Sequence, residues 1–242
     1  MANRSGTEID YVGSELDVFS HVKNWKAYWA KMITPYMGEE VLDVGAGIGA
    51  TAINLSSRAY KTWVELEPDP KLAQRIVQGQ KNGTIPTSIE VRVGTTRDLS
   101  ALEMFDTVLY IDVLEHIEED RKELENIAMH VKPGGHVIVL SPAHQYLLTE
   151  FDRQVGHYRR YNKQQIKAIK PDNLEIVCLK YMDSVGMLAS LGNKLLLKSG
   201  NPTLGQVKIW DRLMVPVSRM IDPLIGHALG KSILSIYKKV TN

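Results

Sequence analysis

The sequence predicts an α/β fold with a doubly wound, mostly parallel sheet, and three features predict it. Short Val/Ile-rich runs alternate with helical patterns, a glycine cluster closes the first run, and Pro/Gly pairs punctuate the rest. Residues 41–44 form a short apolar run and residues 62–66 a second. Residues 88–93 alternate Ile89, Val91 and Val93 with polar neighbours, and 105–111 and 136–140 are again Val/Ile-rich; each reads as a strand. Between them, Leu72, Ala73, Ile76 and Val77 share a helical face, as do Leu124, Ile127, Ala128 and Val131. Lys132-Pro133-Gly134-Gly135 is read as the stop of one helix and the turn into the next strand.

Residues 174–179 read as a sixth strand and 232–237 as the seventh, although 229–240 also fits an amphipathic helix. Between them, 184–226 has helical spacing broken at Gly200-Asn201-Pro202 and near Pro216 and Pro223, which predicts two or three inserted helices. The expected organisation is a single domain over 1–242. It comprises an N-terminal helical lid (1–40), a core (41–182), a helical insert or cap (183–230) and a final strand (231–242). Tyr11, Phe19, Trp25, Tyr28 and Trp29 in the N-terminal segment, and Trp210, Met214 and Met220 in the insert, are packing residues of which some are candidates for lining an apolar pocket.

Composition narrows the function. The 242 residues carry 29 Lys+Arg and 28 Asp+Glu, a net charge of +1, which excludes a strongly basic nucleic-acid binder. The lone cysteine, Cys178, excludes an internal disulfide and cysteine-based zinc sites, and reads as a small buried hydrophobe. The opening residues are polar with no apolar signal core, and no run suits a spanning helix, so a cytoplasmic location is expected.

The strongest signal is Val41-Leu-Asp-Val-Gly-Ala-Gly-Ile-Gly-Ala50. A strand runs into Gly45, Ala46, Gly47 and Gly49 and then a helix, the arrangement that lets backbone approach a ligand. The same residues satisfy G-x-G-x-x-G/A, the dinucleotide fingerprint of Rossmann-like sheets. Asp43, at the strand end, suits a ligand ammonium or loop amides. A carboxylate after the second strand suits ribose hydroxyls; Glu65 and Glu67 point the same way, so spacing does not choose between them.

In combination, D-x-G-x-G-x-G, the acidic end of the second strand, FDTVLYIDVLEHIEED and HVKPGGHVIVLSP resemble the class I S-adenosylmethionine-dependent methyltransferases over residues 41–142. The resemblance implies a seven-stranded Rossmann-like sheet and S-adenosyl-L-methionine as cofactor. It also implies a glycine loop and Asp43 at the methionine end, Glu67 on the ribose, and a loop at Asp112 lining the cofactor. Many members carry an acid after the third strand; here Thr95 stands in its place, and the backbone of Thr96 or Leu99, or Asp98, is left to meet the adenine.

Methyl transfer to an oxygen benefits from a base near the strand ends. Asp112 ends the fourth strand and His116 lies one turn beyond, with a structural role for His116 equally open. After the fifth strand come His144, Asp152, His157, Arg159, Arg160 and Tyr161, a polar stretch of a kind that is usually functional. His157 is the candidate base with Asp152 orienting it; His144, Arg159, Arg160 and Tyr161 are candidates to grip the acceptor. The G-H-x-R-R-Y element resembles uncharacterised bacterial members associated with glycan or lipid-glycan pathways. Asp112, Glu115, His116 and Asp152 carry metal-ligating groups, but no close ligand pair such as H-x-x-x-H is present, and no metal is expected. The Lys194–Lys198 and Lys231–Lys239 stretches leave an interfacial membrane contact open.

The expected function is methylation of a small-molecule acceptor, anionic or glycan- or lipid-linked, most simply at oxygen, with S-adenosylhomocysteine as product. No nucleic-acid partner is expected, and a homo-oligomer is compatible. A nicotinamide oxidoreductase and an inactive cofactor-binding partner subunit are the alternatives; a nucleic-acid or protein methyltransferase is disfavoured by the neutral charge and the lack of a base-flipping element.

Overall fold

The computed structural model describes residues 22–55, 58–192 and 203–241, together with Leu16 and Phe19. Tyr11, Lys194–Lys198 and the break at Gly200-Asn201-Pro202 lie outside the described residues. The strands are β1 (Glu40–Val44), β2 (Thr62–Glu67), β3 (Glu90–Val93), β4 (Phe105–Ile111), β5 (Val131–Pro142), β6 (Leu174–Met182) and β7 (Ser232–Lys239). They form one sheet in the order β3-β2-β1-β4-β5-β7-β6. Every neighbouring pair is parallel except those of β7, which runs antiparallel to both β5 and β6. The chain reverses its winding between β1 and β4, so a crevice opens at their carboxyl ends, where ligands bind in such sheets. The alternative helical reading of 229–240 gives way to a strand, because residues 232–237 are all buried between two neighbours.

The helices are α1 (Asn24–Ile33), α2 (Ala50–Leu55), α3 (Pro70–Lys81), α4 (Asp120–Ile127), α5 (Glu150–Gln154), α6 (Lys163–Ala168), α7 (Ser184–Gly192), α8 (Leu204–Ile209) and α9 (Val215–Leu224). Leu124 and Ile127 of α4 are fully buried with Val108, Tyr110, Val137 and Val139, as the periodicity requires. Asp69 starts α3 by accepting from the Lys71 amide, with Pro70 in the first turn. Lys132-Pro133-Gly134-Gly135 lies within β5 as an irregularity: Phe105 pairs with Val131 and Thr107 already with His136, so the extra residues loop out between two ladder positions.

The N-terminal segment is not a detached lid where it is described. Trp25, Tyr28, Trp29 and Ile33 recur on one face of α1 and are buried against Val41, Trp63 and Leu109, so α1 is a layer of the core. Nor does Pro216 break the insert. It sits in the first turn of α9, where a missing amide donor is tolerated, directly after a π-turn over Trp210–Met214. Cys178 is buried, as expected.

Three aspartates that no motif singles out bind these pieces together. Asp211 accepts from the amides of Lys23, Asn24 and Trp25, at 2.9–3.2 Å, and so caps α1 from the insert. Asp222 accepts from the Tyr28 hydroxyl (2.9 Å), the Asp183 amide (2.7 Å) and both Ser184 donors. Asp183, following β6, accepts from Trp210 Nε1 (2.7 Å), the Ser218 hydroxyl (2.6 Å) and the Gly186 amide. Each is buried, and hydrogen bonds to a charged acceptor are what make such burial affordable.

Candidate active site

The glycine loop leaves β1 with φ of +64° at Gly45 and +76° at Gly49. A Cβ on Gly45 would come within 2.8 Å of Val113, and one on Gly49 within 2.7 Å of Ile85, so these two glycines let the chain pack on itself. Gly47 differs: its φ is +60°, yet among the described residues an added Cβ would meet Leu16 alone, at an ordinary contact distance of 3.7 Å. Its amide donates to Glu67 Oε2 (2.7 Å), while the Asp69 amide donates to Oε1 (2.8 Å). Glu67 is thus anchored by backbone at the end of β2, beside the loop, with lone pairs left over for further donors. That geometry separates it from Glu65.

Glu65 lies one pleat deeper and is the register partner of Asp43 across the β1–β2 pair. Both carboxyls are buried and face each other, with Thr51 beside Asp43 and Trp63 beside Glu65, and among the described residues no cation is bonded to either. Burial raises Asp43 to about 7; the Glu65 and Thr51 side chains oppose that and the Glu67 charge adds to it. Burial, and then the Asp43 charge, hold Glu65 well above the carboxylate range. A buried acid pair without a counter-charge suits a ligand ammonium.

The side chains of Thr96 and Leu99 are engaged within the fold, which leaves their backbone for the expected adenine contact. The Thr96 hydroxyl donates to Glu123 Oε2 (3.1 Å) and meets the Asn126 amide group, turning toward α4. Leu99 is packed on the second core face, and Asp98 caps its own turn through the Thr95 amide. The backbone of this turn remains the surface facing β3's end.

The acceptor side is assembled from further apart. Asp112 ends β4 in the left-handed region (φ +55°), costly for a residue with a side chain. Although the residue is exposed at the crevice, the protein crowded around its carboxyl raises it to about 6, against the charges of His157, Lys231 and Arg160. Gly156 (φ +89°) turns the chain out of α5, and the Tyr158 amide donates to the Glu115 carbonyl (2.9 Å), which clamps this segment to the β4 loop. The His116 and His157 rings therefore meet edge to face, 4.5 Å between centroids. Burial, and then His157, push His116 down to about 4, so it is neutral at neutral pH.

Asp152 is the hub of the cluster. Its Oδ1 contacts His157 Nδ1 (3.1 Å) and Arg160 Nη2 (2.8 Å); its Oδ2 accepts from Arg160 Nε (3.1 Å) and from the Thr149 amide and hydroxyl. Burial acts to raise this carboxyl, but the His157 bond and the Arg160 guanidinium outweigh it and hold it well below the carboxylate range. Glu115 is fully buried with no well-formed hydrogen bond to either oxygen, the Ser141 hydroxyl being its neighbour, and one donor atom each from Glu115, His116 and His157 lie within 4.8 Å of one another. Among the described residues, this trio is the group able to hold a cation. Its members are 42 residues apart along the chain, which is why no ligand spacing shows it.

Three expected acceptor contacts take other places. Arg160 is spent on Asp152. Arg159 pairs with Asp120 (2.5 Å) and donates to the Glu118 carbonyl (2.8 Å). Tyr161 is buried, its hydroxyl bonded to Asp120 (2.8 Å) and near the Leu114 carbonyl (3.2 Å). The basic element closes the site from behind. His144 stays at the edge with φ +66°, stacked between Tyr146 and Tyr181. The sequence reading missed Lys231, just before β7. It lies 3.8 Å above the Trp210 ring and 3.8 Å from Asp183, and it adds positive charge near Asp112.

Residues 34–180 match the model of a methyltransferase domain. The chain belongs to the methyltransferase domain family. S-adenosylmethionine is its cofactor, which settles the glycine loop against a nicotinamide. A ubiquinone biosynthesis O-methyltransferase of Rickettsia conorii is 25% identical over 120 residues, half of this chain and 40% of that one. Norajmaline N-methyltransferase of Rauvolfia serpentina is 27% identical over 145 residues, 58% of this chain and 47% of that one. The chain thus spans less than half of these curated relatives. Among solved structures, the cyclase SpnF superposes with a TM-score of 0.64 at 13% identity, over 96% of each chain, which shows the fold.

Proposed function

We propose that this methyltransferase domain methylates an oxygen of a small-molecule acceptor, with His157 taking the proton. The observation that carries the reading is the Thr149–Asp152–Arg160 clamp on His157. An ionised Asp152 at Nδ1 selects the tautomer whose Nε2 has a free lone pair, as a general base requires. Neutral His116 beside it places no charge against the imidazolium that forms.

Cofactor binding in this reading falls to Gly45, Ala46 and Gly47, to Asp43 with Glu65 on the ammonium, and to Glu67 on the ribose. The donor set fits: a glycine with an open face, an anchored carboxylate, and buried acids lacking a cation. When bound, S-adenosylmethionine supplies an electrophilic methyl on a sulfonium that departs as a thioether. The protein holds the acceptor hydroxyl between His157 and the glycine loop, near Asp112, and excludes water behind Tyr161 and Arg159. As the C–O bond forms, the hydroxyl proton passes to His157 Nε2. O-methyl and N-methyl relatives both exist; a clamped base favours a hydroxyl, which must lose its proton for its product to be neutral. A cytoplasmic location belongs to the same proposal.

The test uses radiolabelled methyl donor with phenol, catechol and secondary-amine acceptors, on wild type and His157→Ala. Labelled ether from wild type alone supports the reading. Equal turnover by the variant, or label only on amines, overturns it. A second reading rests on the buried Glu115 beside the two histidines: a divalent cation on Glu115, His116 and His157 would acidify the hydroxyl in place of a free base. Loss of turnover in chelator with recovery on added Mg²⁺ or Mn²⁺ favours it.

A further inference from the structure

The insert carries an apolar face that nothing in the chain's described residues covers. The inward side of residues 203–231 is fully employed: Val207, Trp210, Val215, Ser218 and Asp222 are buried against α1, α7 and the sheet. Yet the outward side is also apolar. Leu213, Val217, Met220, Ile221 and Leu224 follow one another at helical spacing and are all exposed, Met220 by 73% and Leu224 by 85%; Leu229 extends the patch. An ordinary surface helix is polar there, and a contiguous patch of this kind marks an interaction site.

Charge selects the partner. Residues 203–231 contain two acids, Asp211 and Asp222, and both are buried and saturated by the bonds that dock α1 and the end of β6. What remains beside the apolar residues is Lys208, Arg212 and Arg219, all exposed. The molecule as a whole is nearly neutral, so this is a local segregation of cations. A second copy docking by twofold symmetry would press the same three cations on their equivalents with no acid between them. A surface of anionic lipid headgroups above hydrocarbon matches both halves of the pattern. Among the described residues no helix is long and apolar enough to cross a membrane, so the face would lie on the surface rather than span.

We propose that the α8–α9 face docks the protein on an anionic lipid surface. The apolar residues enter the headgroup boundary, and Lys208, Arg212 and Arg219 meet lipid phosphates. The segment leads directly into Lys231, whose charge acts on Asp112, so docking would bring the bilayer against the element that borders the site. The inference stands on the surface pattern and not on the proposed acceptor.

The test is co-sedimentation of the full chain with phosphatidylcholine vesicles, with and without phosphatidylglycerol, alongside S-adenosylhomocysteine titration and light scattering. Expected results are pelleting with the anionic vesicles that weakens at high salt. Leu213→Glu/Leu224→Glu should bind about tenfold or more weaker, and Arg212→Gln/Arg219→Gln should lose the preference for anionic lipid. Cofactor affinity should be unchanged in both, which shows that the variants fold. No pelleting of wild type overturns the proposal, whether the face then proves to hold a second copy or the chain's own residues 193–202. Equal pelleting by the Leu213→Glu/Leu224→Glu protein overturns it too.

Discussion

The two halves of the crevice handle buried carboxylates in opposite ways. Under the glycine loop, Asp43 and Glu65 are buried side by side with no cation bonded to them, and burial pushes both upward. Across the crevice, Asp152 is as deeply buried, but Arg160 and His157 hold it well below the carboxylate range. The first arrangement is incomplete without a positive ligand and the second is complete by itself. On the proposed assignment, cofactor binding stabilises the β1–β2 side, while the β5–α6 side is preorganised before any acceptor arrives.

The largest break between the halves is expected at His157. His157→Ala should lower turnover about 10²- to 10⁴-fold and leave the affinity for S-adenosylhomocysteine within about twofold, measured by steady-state rates beside calorimetric titration. Next is Arg160→Met, which leaves Asp152 buried with part of its compensation gone. A loss of about 2–4 kcal/mol in urea unfolding is expected, concentrated above the range where Asp152 protonates. Because the folded carboxyl titrates below the unfolded one, its stabilisation is present at neutral pH and fades as acid is added, and the variant should lose that slope.

Changes on the other side should be smaller and confined to binding. Glu67→Ala or Asp43→Ala should weaken S-adenosylhomocysteine at least tenfold, about 1.4 kcal/mol; unchanged affinity in both removes the cofactor assignment. The smallest effect is a pH dependence. Asp43 rises to about 7, so it is protonated below that value, and an ammonium prefers the ionised form. Affinity should improve as pH climbs from about 6 to 8, with proton release on binding, and Asp43→Asn should flatten the profile. The same titration in two buffers of different ionisation enthalpy reads it directly.

The two halves were also unequally legible in the sequence. Asp43, Gly45, Gly47, Gly49 and Glu67 fall within 25 residues on two adjacent strands, so their order along the chain is nearly their order in space. Even there, strand alternation placed Glu65 and Glu67 on one face and stopped. The choice needed the depth of each along β2 and the Gly47 amide that reaches only the outer one. The acceptor half draws Asp112, Glu115, Asp152, His157 and Lys231 from four separate elements. Arg159, Arg160 and Tyr161 look like ligand contacts in a polar run, and only the packing of α4 and α5 shows that Asp120 and Asp152 already engage them. The sheet was readable because its inner strands are short, mostly apolar runs buried along nearly their whole length. The π-turn before Pro216 was not, because a backbone adjustment has no side-chain signature.

The aspartate struts have a dynamic consequence. Asp211 holds the first amides of α1 from the insert, Asp222 reaches both α1 and the β6 end, and Asp183 grips Trp210 and Ser218. Detaching any one segment would strip buried carboxylates of their donors at once, so α1 and the continuous α8–α9 run should open as a single cooperative unit. In hydrogen–deuterium exchange their amides would protect together and release together. The wall beside the crevice then behaves as masonry rather than a hinged door, and any traffic through it must wait for a rare, shared fluctuation.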